Sequence, residues 1–348
     1  MIVRDLEVEN LEYPFATLNS FITPTAEFYI RNHYPYPTMD AQTWRMTVEG
    51  RVKHPLVLTY AELRQLPAET ITVTMECAGN NRSFLTPKTE GVQWGQGAVG
   101  NATWTGVPLR AILARAGVLP DALEVIVEGA DKGEIKEPPK PDGEIHYTRS
   151  LPLDDTILAD ALLAYAMNGE ELPLAHGYPL RLIVPGWYGM ASVKWVTRLI
   201  VTAKPFHGYY QSIDYAIWER IDGIPTRVPI TTMQTKASIA RPEFQEEIPL
   251  HTPFCINGAA WSGKATIAKV EISLDGGLSW HAAQLLGEPV RYAWRLWRYN
   301  APPFTRPGSY TIMARATDTA GCTQAMQRQP DRENYVISHV LPVPITVR

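Results

Sequence analysis

The feature that most constrains the fold of this chain is the strict alternation of apolar and polar residues in its C-terminal part. The clearest example, residues 268–274, is followed at once by Asp-Gly-Gly at 275–277, a typical hairpin turn leading into residues 278–280. Residues 310–316 repeat the alternation, and no helical period is visible. The strand spacing predicts an all-β sandwich over residues 250–348.

The first 225 residues mix short helical and strand signals. Helices are predicted at residues 60–66, 108–116 and 154–167, the last two bounded by proline or aspartate at the start and by glycine or asparagine at the end. Strands are predicted at residues 43–48, 70–75, 123–128, 180–184 and 194–201. This order is not a regular βαβ series. We therefore predict an α+β fold with a mixed α/β domain at 1–225, a proline-rich connection at 226–249 and the sandwich at 250–348.

Length and composition fit a globular protein of two domains. A chain of 348 residues exceeds one comfortable hydrophobic core, and 45% apolar with 20% charged residues is an ordinary globular balance. The 32 basic and 36 acidic residues give a net charge of −4 without a run of like charge, which argues against nucleic acid as a partner. The three cysteines are too few and too scattered for a disulfide framework or a zinc site.

The sequence also bears on membranes and on localisation. No apolar stretch reaches the length that a bilayer requires, so no membrane span is predicted. Residues 1–10 carry acidic side chains where a signal peptide would be apolar. As written, the sequence predicts a cytoplasmic protein, or a periplasmic one if a leader has been removed.

Cys77 lies in a turn that suits a metal ligand. The strand predicted at 70–75 leads into Cys77, and Ala78 and Gly79 remove the bulk that would keep a large cofactor away from the backbone. Arg82 adds a fixed positive charge, which favours the thiolate, the form of cysteine that binds metals. The alternative is a buried free cysteine that packs as a small apolar residue, which an arbitrary cysteine of this kind favours, but the residues around Cys77 argue against it.

The sequence Gly-Gln-Gly-Ala-Val-Gly at 95–100 satisfies the G-x-G-x-x-G pattern of dinucleotide-binding folds. That pattern binds a pyrophosphate only where a strand enters the first glycine and a helix begins at the last. Residues 89–94 and 101–108 are predicted to be loop. We therefore do not expect a nicotinamide cofactor at this segment.

Several segments together resemble the sulfite oxidase family of molybdenum (molybdopterin) enzymes. In that family the cysteine of a Cys-Ala-Gly-Asn turn, matched here by residues 77–80, ligates molybdenum held by a pterin dithiolene. The other matches follow the family's order and are Arg-Asn-His at 31–33, Trp94 with Gly-Ala-Val at 97–99, Trp-Thr-Gly at 104–106, residues 163–169, residues 176–181, Val-Pro-Gly at 184–186, Ser-Val-Lys-Trp at 192–195 and Asp-Tyr at 214–215. The resemblance covers most of the chain and implies a molybdopterin-binding domain followed by an immunoglobulin-like dimerisation domain.

The resemblance implies a set of residues that hold the molybdenum–pterin cofactor. The set is Arg31, Asn32, His33, Cys77, His176, Arg181, Ser192 and Lys194, with Cys77 as the metal ligand. Arginine and lysine suit the phosphate tail of such a cofactor. Arg181 lies on an apolar predicted strand, and a buried arginine needs an anionic partner. Taken alone, His176 is better interpreted as an ordinary loop histidine near the turn at residues 177–179.

The resemblance also implies a pocket for a small oxyanion beside the metal. Its catalytic residues would be Cys77, Arg31, Arg82, Trp94 and Tyr215. Sulfite has no apolar group, so the pocket must bind it with fixed cations and shield it from water. Arg31 and Arg82 would supply this charge and Trp94 would form a wall. Tyr215 would donate its hydroxyl near the metal, or alternatively pack as one more core aromatic.

Two positions depart from the family's pattern. Asn81 stands at the edge of the site, where animal relatives have a second arginine. Asn334 occupies the position of an arginine that the family contributes from its C-terminal domain, although Arg332 lies two residues upstream and could replace it. Loss of this cation would weaken sulfite binding and admit other substrates.

The implied function is oxidation of sulfite to sulfate by oxygen-atom transfer in a homodimer. Because no haem-binding domain is present in the sequence, electrons would pass singly to an external acceptor such as a cytochrome c. Two alternatives remain open. One is a molybdenum enzyme of the same fold that reduces nitrate or a sulfoxide, and the other is a non-enzymatic protein whose sandwich is an interaction module.

Overall fold

The computed structural model describes residues 1–348 except for the side chains at positions 155 and 330. The first domain contains the helices α1 (Tyr60–Arg64), α2 (Leu109–Ala116), α3 (Asp155–Leu158) and α4 (Tyr209–Ser212). Its strands are β1 (Ile2–Asp5), β2 (Asn10–Glu12), β3 (Arg45–Gly50), β4 (Leu56–Thr59), β5 (Glu69–Glu76), β6 (Val99–Pro108), β7 (Glu124–Glu134), β8 (Glu144–Pro152), β9 (Leu162–Met167), β10 (Glu170–Glu171), β11 (Arg181–Ile183), β12 (Val196–Thr202), β13 (Ala216–Ile221) and β14 (Ile224–Pro229). All five strands predicted for this domain are confirmed, with shifted ends.

Helices α1 and α2 confirm two of the predicted helices. Thr59 and Glu62 form a capping box at the start of α1. Gly117 ends α2 with φ of +68°, the left-handed conformation for which glycine is favoured. Among the described residues, none of the helices combines the length and the apolar character needed to cross a bilayer.

Two five-stranded sheets form the frame of the first domain. One has the strand order β10-β9-β6-β5, with β11 paired to β9, and the other has the order β4-β3-β12-β7-β8. Apolar side chains from both sheets, among them Val127, Leu163 and Leu199, share one continuous core. Strand β5 lies at the edge of its sheet and leads directly into Cys77.

The prediction of one helix over residues 154–167 is wrong, because only residues 155–158 are helical. The short helix α3 is followed by strand β9, which pairs with β6, β10 and β11. Strand β9 is almost entirely buried, and a continuous apolar run of this kind cannot be told from a buried helix by its periodicity. Asn168 and Gly169, predicted as a helix stop, have φ of +52° and +83° and form the tight turn between β9 and β10.

The loop predicted at residues 101–108 is also wrong, because these residues belong to β6, which pairs with β5 and β9. Strand β6 runs through the last glycine of the segment 95–100, where a dinucleotide-binding fold would begin a helix. The Glu12 carboxylate accepts hydrogen bonds from Gly95 N at 2.9 Å and Gly97 N at 2.7 Å. The segment therefore binds an internal carboxylate instead of a pyrophosphate.

The second domain is the predicted β-sandwich. Its strands are β15 (Lys236–Arg241), β16 (Glu247–Ile248), β17 (Phe254–Trp261), β18 (Ile267–Ser273), β19 (His281–Ala282), β20 (Gln284–Leu285), β21 (Arg295–Ala301), β22 (Gly308–Asp318) and β23 (Val343–Val347). One sheet has the order β15-β17-β21-β20 and the other the order β16-β23-β22-β18-β19. Residues of both sheets, including Ile256, Trp297 and Ile272, form a separate core. The alternation at 268–274 and 310–316 is thus confirmed as strand.

Two details of the predicted sandwich need correction. Pairing after β18 resumes with Ile272 opposite His281, so residues 278–280 belong to a longer turn and not to a strand. The Asp275 carboxylate accepts bonds from the amides at 278 and 279, which stabilises this turn. Strand β15 lies inside the segment 226–249 predicted as a connection, and it pairs with β17. The sandwich therefore includes residues that the prediction placed in the connection.

A buried ion pair joins the two domains beside Cys77. Lys236 Nζ on β15 contacts Glu76 Oε1 at 2.6 Å, and the two side chains are 1% and 2% exposed. The other oxygen of Glu76 accepts a hydrogen bond from the Trp261 indole at 2.9 Å. Asn80 also donates to Glu76, at 3.1 Å. The sandwich thus fixes the end of β5 from which Cys77 follows.

Candidate active site

The turn at residues 77–82 positions both a thiol and a guanidinium. The Cys77 amide donates to the Ala98 carbonyl at 2.8 Å, which ties the start of the turn to the segment before β6. Asn81 adopts φ of +76°, a left-handed conformation that asparagine tolerates. A Cβ atom added to Gly79 would lie 2.5 Å from Arg82 Nη2. The small residues of the turn therefore also make room for the arginine.

Cys77 lies where two cavities meet. The inner cavity is lined by Phe28, Tyr29, Ile30, Arg31, Asn32, His33, Met75, Cys77, Asp131, Tyr147, Ala175, His176, Arg181, Gly189, Met190, Ser192, Lys194 and Tyr215. The outer cavity, of about 240 Å³, is lined by Arg31, Cys77, Arg82, Glu90, Gly91, Val92, Trp94, Asp214, Tyr215, Asn334 and Tyr335. Arg31, Cys77 and Tyr215 line both cavities. All the predicted site residues thus line one cavity or both.

The protonation of Cys77 is set by opposing effects. Burial raises the pKa of the thiol, while the charges of Arg31 and Arg82 lower it, and the net result is a raised pKa. The predicted effect of Arg82 is therefore present, but desolvation outweighs it. A bound metal cation reverses this balance, because a coordinating thiol is deprotonated.

Arg181, on β11, is a deeply buried cation of the inner cavity with 4% exposure. Its Nη1 donates to the His176 carbonyl at 2.8 Å and its Nη2 to the Ser192 carbonyl at 3.2 Å. Its Nε is buried and has no hydrogen-bond partner among the described residues. Burial lowers the pKa of Arg181 to about 10, so the group stays charged at neutral pH. Its remaining contacts are the Met75 sulfur at 3.5 Å and the Trp104 ring, so no described acidic side chain pairs with this buried charge, which suits an anionic group in the cavity.

Asn32 and Lys194 form one unit at the wall of the inner cavity. Lys194 Nζ donates to the Asn32 side-chain oxygen and to the Ala175 carbonyl, the latter at 3.0 Å. The Asn32 amide nitrogen in turn donates to the Glu9 carbonyl at 2.9 Å. The amide of Asn32 is therefore engaged within the protein, and its role in the cavity is to position Lys194.

His176 and Ser192 supply neutral polar groups to the inner cavity. Burial, with the nearby charges of Arg181 and Lys194, lowers the pKa of His176 to about 3, so its ring is neutral at pH 7. One ring nitrogen lies 3.2 Å from a backbone carbonyl, which fixes the tautomer and leaves the other nitrogen to accept. The Ser192 hydroxyl oxygen accepts a bond from the Val184 amide at 3.1 Å, and its proton remains free to donate.

Asp131, on β7, lines the inner cavity but was not predicted from the sequence. Its Oδ1 is buried without a hydrogen-bond partner among the described residues. Burial raises the pKa of this carboxyl to about 6, although the nearby charge of Lys194 lowers it. A single aspartate on an alternating strand carries no local signal of such a position.

His33 and Tyr215 are hydrogen-bonded, with His33 Nε2 2.7 Å from the Tyr215 hydroxyl. Burial lowers the pKa of His33 and raises that of Tyr215, so both are neutral at pH 7. The Tyr215 ring also packs against the Tyr335 ring, with centroids 5.1 Å apart. Tyr215 is therefore both a core aromatic and a hydroxyl group at the junction of the cavities.

Arg82 is the cation that belongs to the outer cavity alone. Its Nε donates to the Asn334 carbonyl at 3.0 Å and its Nη1 to the Val92 carbonyl at 2.9 Å. Its guanidinium lies 4.9 Å from the centroid of the Tyr335 ring. Trp94 is fully buried and forms the predicted wall of this cavity. The orientation of Arg82 is thus fixed by backbone groups.

Asp214 and Tyr335 complete the outer cavity. The Tyr335 hydroxyl donates to Asp214 Oδ1 at 3.0 Å. Burial raises the pKa of the Asp214 carboxyl, while Arg31 lowers it. Tyr335 was not predicted as a site residue. Its partner is 121 residues away in sequence, so only the fold brings the two groups together.

Arg332 does not line the outer cavity. It pairs with Glu219 at 2.8 Å and faces a different cavity. Asn334 lines the outer cavity, where its amide nitrogen lies 3.5 Å from the Glu90 carbonyl. The possibility that Arg332 replaces the missing arginine is therefore wrong in this structure.

The donor set of the inner cavity fits a molybdenum–pterin cofactor. The buried, unpartnered Nε of Arg181 suits an anionic group, and His176 and Ser192 can bond to ring nitrogens. Among the described residues, no three His, Cys, Asp or Glu side chains come together as a metal cluster. The residues present therefore fit a metal that an organic group carries, with Cys77 as the candidate protein ligand.

Comparison with known families agrees with this assignment. The chain matches the family described as oxidoreductase molybdopterin binding domain over residues 33–210. It matches the Mo-co oxidoreductase dimerisation domain over residues 227–338. These two ranges correspond to the mixed domain and to most of the sandwich.

The chain is similar to several known proteins. Mitochondrial sulfite oxidase of Drosophila melanogaster is 35% identical over 339 residues, which is 89% of this chain and 56% of that protein. The Homo sapiens mitochondrial sulfite oxidase is 36% identical over 323 residues, 88% of this chain and 57% of that protein. Nitrate reductase (NADH) 1 of Oryza sativa subsp. japonica is 34% identical over 353 residues, 90% of this chain and 37% of that protein. The chain thus spans little more than half the length of the two sulfite oxidases.

A solved structure shows the same fold. The sulfane dehydrogenase SoxCD from Paracoccus pantotrophus has a TM-score of 0.82 and 30% identity, covering 96% of this chain and 83% of that chain. Motifs, cavity chemistry and these similarities lead to one conclusion. The chain belongs to the sulfite oxidase family of molybdopterin-binding oxidoreductases.

Proposed function

We propose that this protein oxidises sulfite to sulfate with a molybdenum–pterin cofactor bound in the inner cavity. The observation that carries the proposal is the position of Cys77, whose thiol lies at the junction of the inner and outer cavities. A metal on Cys77 would be open to a small anion that enters the outer cavity. The two sulfite oxidases that match 89% and 88% of this chain support the same substrate.

The inner cavity would bind the cofactor by charge and by neutral hydrogen bonds. Arg181 and Lys194 would neutralise its anionic groups, with Lys194 oriented by Asn32. His176 and Ser192 would bond to its ring atoms. When bound, the cofactor supplies the centre that accepts two electrons from the substrate.

The outer cavity would bind sulfite through Arg31 and Arg82. Arg82 is already fixed by two carbonyls, so little conformational entropy is lost when an oxyanion binds. Tyr215 stays protonated because burial raises its pKa, and its hydroxyl can therefore bond to an oxygen of the substrate.

The overall reaction converts sulfite and one water into sulfate, two protons and two electrons. Asp214 lines the cavity in which the water would react, and it can take up a released proton. The electrons would leave singly to an external acceptor such as a cytochrome c. We further propose that the sandwich mediates a homodimer, in keeping with the match to a dimerisation domain.

A turnover assay tests the proposal. The protein is purified from a host that makes the cofactor, and sulfite-dependent reduction of ferricyanide and of cytochrome c is measured alongside molybdenum content. We expect molybdenum close to one per chain and saturable sulfite oxidation. Protein with full molybdenum and no sulfite turnover would contradict the substrate, and protein without molybdenum would favour a non-enzymatic role.

Reduction of nitrate or a sulfoxide is the second candidate, and Asn334 is the observation that favours it. The side chain lines the outer cavity where the family's pattern has a cation, so the pocket holds less positive charge. A nitrate reductase is among the similar proteins. Turnover of nitrate and of a sulfoxide with a reduced viologen dye, measured beside sulfite oxidation, separates the two. If sulfite is the substrate, Asn334→Arg should lower its KM, and the effect should weaken as ionic strength rises.

A further inference from the structure

A third cavity, of about 190 Å³, lies among the residues that connect β22 to β23, and we call it the rear cavity. Its lining includes Arg328, Arg332, His339 and Gln329. None of the described side chains that line it is acidic. The rear cavity is separate from the inner and outer cavities, and it shares no lining residue with either.

Arg328 presents an unoccupied edge of its guanidinium in this cavity. Its Nε and Nη2 are both buried and have no hydrogen-bond partner among the described residues. These two nitrogens form the edge that binds two oxygens of a carboxylate or a phosphate at once. Arg241 uses the same edge to hold Glu246, at 3.0 and 2.6 Å. At Arg328 the described part of the chain supplies no such anion.

The side chains around the rear cavity leave the Arg328 charge without a counter-ion, and burial together with the charges of Lys236 and Arg328 lowers the pKa of His339, so its ring is a neutral group at pH 7. His339 Nδ1 is buried and unpartnered among the described residues. Arg332 faces the cavity but is paired with Glu219 at 2.8 Å. The nearby carboxylate of Asp318 is already bonded to hydroxyl groups, including that of Thr235 at 2.6 Å. Burial lowers the pKa of Arg328, as expected for a cation without a counter-ion.

We infer that the rear cavity is a binding site for a small tetrahedral oxyanion, such as phosphate or sulfate, gripped by Arg328 Nε and Nη2 with His339 as a further donor. An inorganic oxyanion satisfies both nitrogens of Arg328 without an apolar contact surface.

The rear cavity and the outer cavity share a wall. In the segment 332–339, Asn334 and Tyr335 line the outer cavity, whereas Arg332 and His339 line the rear cavity. An oxyanion bound in the rear cavity therefore restricts the motion of this segment, whose Asn334 carbonyl and Tyr335 ring contact Arg82 in the outer cavity.

Calorimetry and crystallography of the molybdenum-loaded protein test the inference. Inorganic phosphate is titrated at constant ionic strength into wild type, Arg328→Gln, Arg328→Lys and Arg306→Gln, in which an exposed arginine is neutralised as a matched control. We expect saturable binding to wild type and to Arg306→Gln, and affinity at least about tenfold lower for Arg328→Gln. Arg328→Lys should be intermediate, because lysine keeps the charge and loses the two-nitrogen edge.

Crystals soaked in selenate locate the ion by its anomalous scattering, which separates this site from oxyanion binding near Arg31 and Arg82. We expect a peak within hydrogen-bond distance of Arg328 in wild type and no peak there in Arg328→Gln. Equal phosphate binding by Arg328→Gln would overturn the inference. An adventitious ion only, seen at crystallisation concentrations without binding in solution, would also overturn it. A third contradicting result is a wild type that binds no phosphate and forms a dimer that dissociates in Arg328→Gln, because a carboxylate of the second copy would then occupy the site.

Discussion

The inner and outer cavities share Cys77 but differ in how their cations are balanced. In the inner cavity Arg181 keeps a buried nitrogen without a partner, and among the described lining side chains Asp131 is the acidic one. In the outer cavity two acidic side chains, Asp214 and Glu90, line the same space as Arg31 and Arg82. An uncompensated cavity suits an anionic group that stays bound, whereas a compensated one suits an anion that exchanges at every turnover.

Removing the thiol of Cys77, which lines both cavities, should have the largest effect on activity. Cys77→Ser replaces a soft thiolate by a hydroxyl at the junction, so we expect sulfite oxidation to fall by more than about 100-fold. Molybdenum analysis and the ferricyanide assay measure the loss. Cys255→Ser, at an exposed cysteine in the sandwich, is the matched control and should behave as wild type. Normal turnover by Cys77→Ser would contradict the claim that the reaction takes place at the junction of the two cavities.

Loss of the buried Lys236–Glu76 ion pair, which lies beside Cys77, should have the second-largest effect. Lys236→Met leaves Glu76 buried without its cation, and we expect the free energy of unfolding to fall by about 3–5 kcal/mol. Urea denaturation followed by tryptophan fluorescence measures this, and adding Glu76→Gln should recover part of the loss. Lys269→Met, at an exposed pair with Glu271, is the control and should change stability little. A loss below about 1 kcal/mol for Lys236→Met would show that the domains are held together elsewhere.

A substitution confined to the inner cavity should alter the amount of bound cofactor. Arg181→Gln removes the uncompensated charge, so we expect pterin and molybdenum content to fall by at least about tenfold, with the KM of the remaining loaded enzyme unchanged. Cofactor is quantified by its oxidised fluorescent pterin. Arg198→Gln, whose partly exposed pairs with Glu49 and Glu128 contribute little, is the control. Full cofactor content with a raised KM in Arg181→Gln would reverse the roles of the two cavities.

A substitution confined to the outer cavity should have the opposite signature and the smallest overall effect. Arg82→Gln keeps part of the hydrogen bonding to the carbonyls of Val92 and Asn334 but removes the charge. We expect the KM for sulfite to rise about tenfold while pterin and molybdenum content stay normal. Steady-state kinetics on samples normalised to molybdenum measure it. A normal KM would exclude Arg82 from substrate binding.

The sequence predicted the sandwich better than the domain that bears the site. Residues 268–274 and 310–316 each have one buried face, so alternation identified them as strands. Residues 162–167 are buried on both faces, so their apolar run shows no alternation, and their periodicity led to the wrong prediction of a helix. The difference lies in burial, which is a property of the whole fold and which local pattern does not contain.

The predicted site residues were those carried by contiguous motifs. Cys77, Arg181 and Lys194 each lie in a short recognisable segment, and the structure brings all three to the inner cavity. Tyr335 and Asp131 lie outside such segments and reach the cavities only through tertiary contacts. Sequence motifs therefore predicted many of the residues that line the two cavities, but they missed those that reach the cavities through tertiary contacts.

The most direct test of this account is X-ray absorption at the molybdenum edge of the purified protein. If Cys77 binds the metal that a pterin dithiolene carries, wild type should show three sulfur ligands and Cys77→Ser should show two. An unchanged sulfur count between the two proteins would contradict the account, because the metal would then not be bound at the junction of the inner and outer cavities.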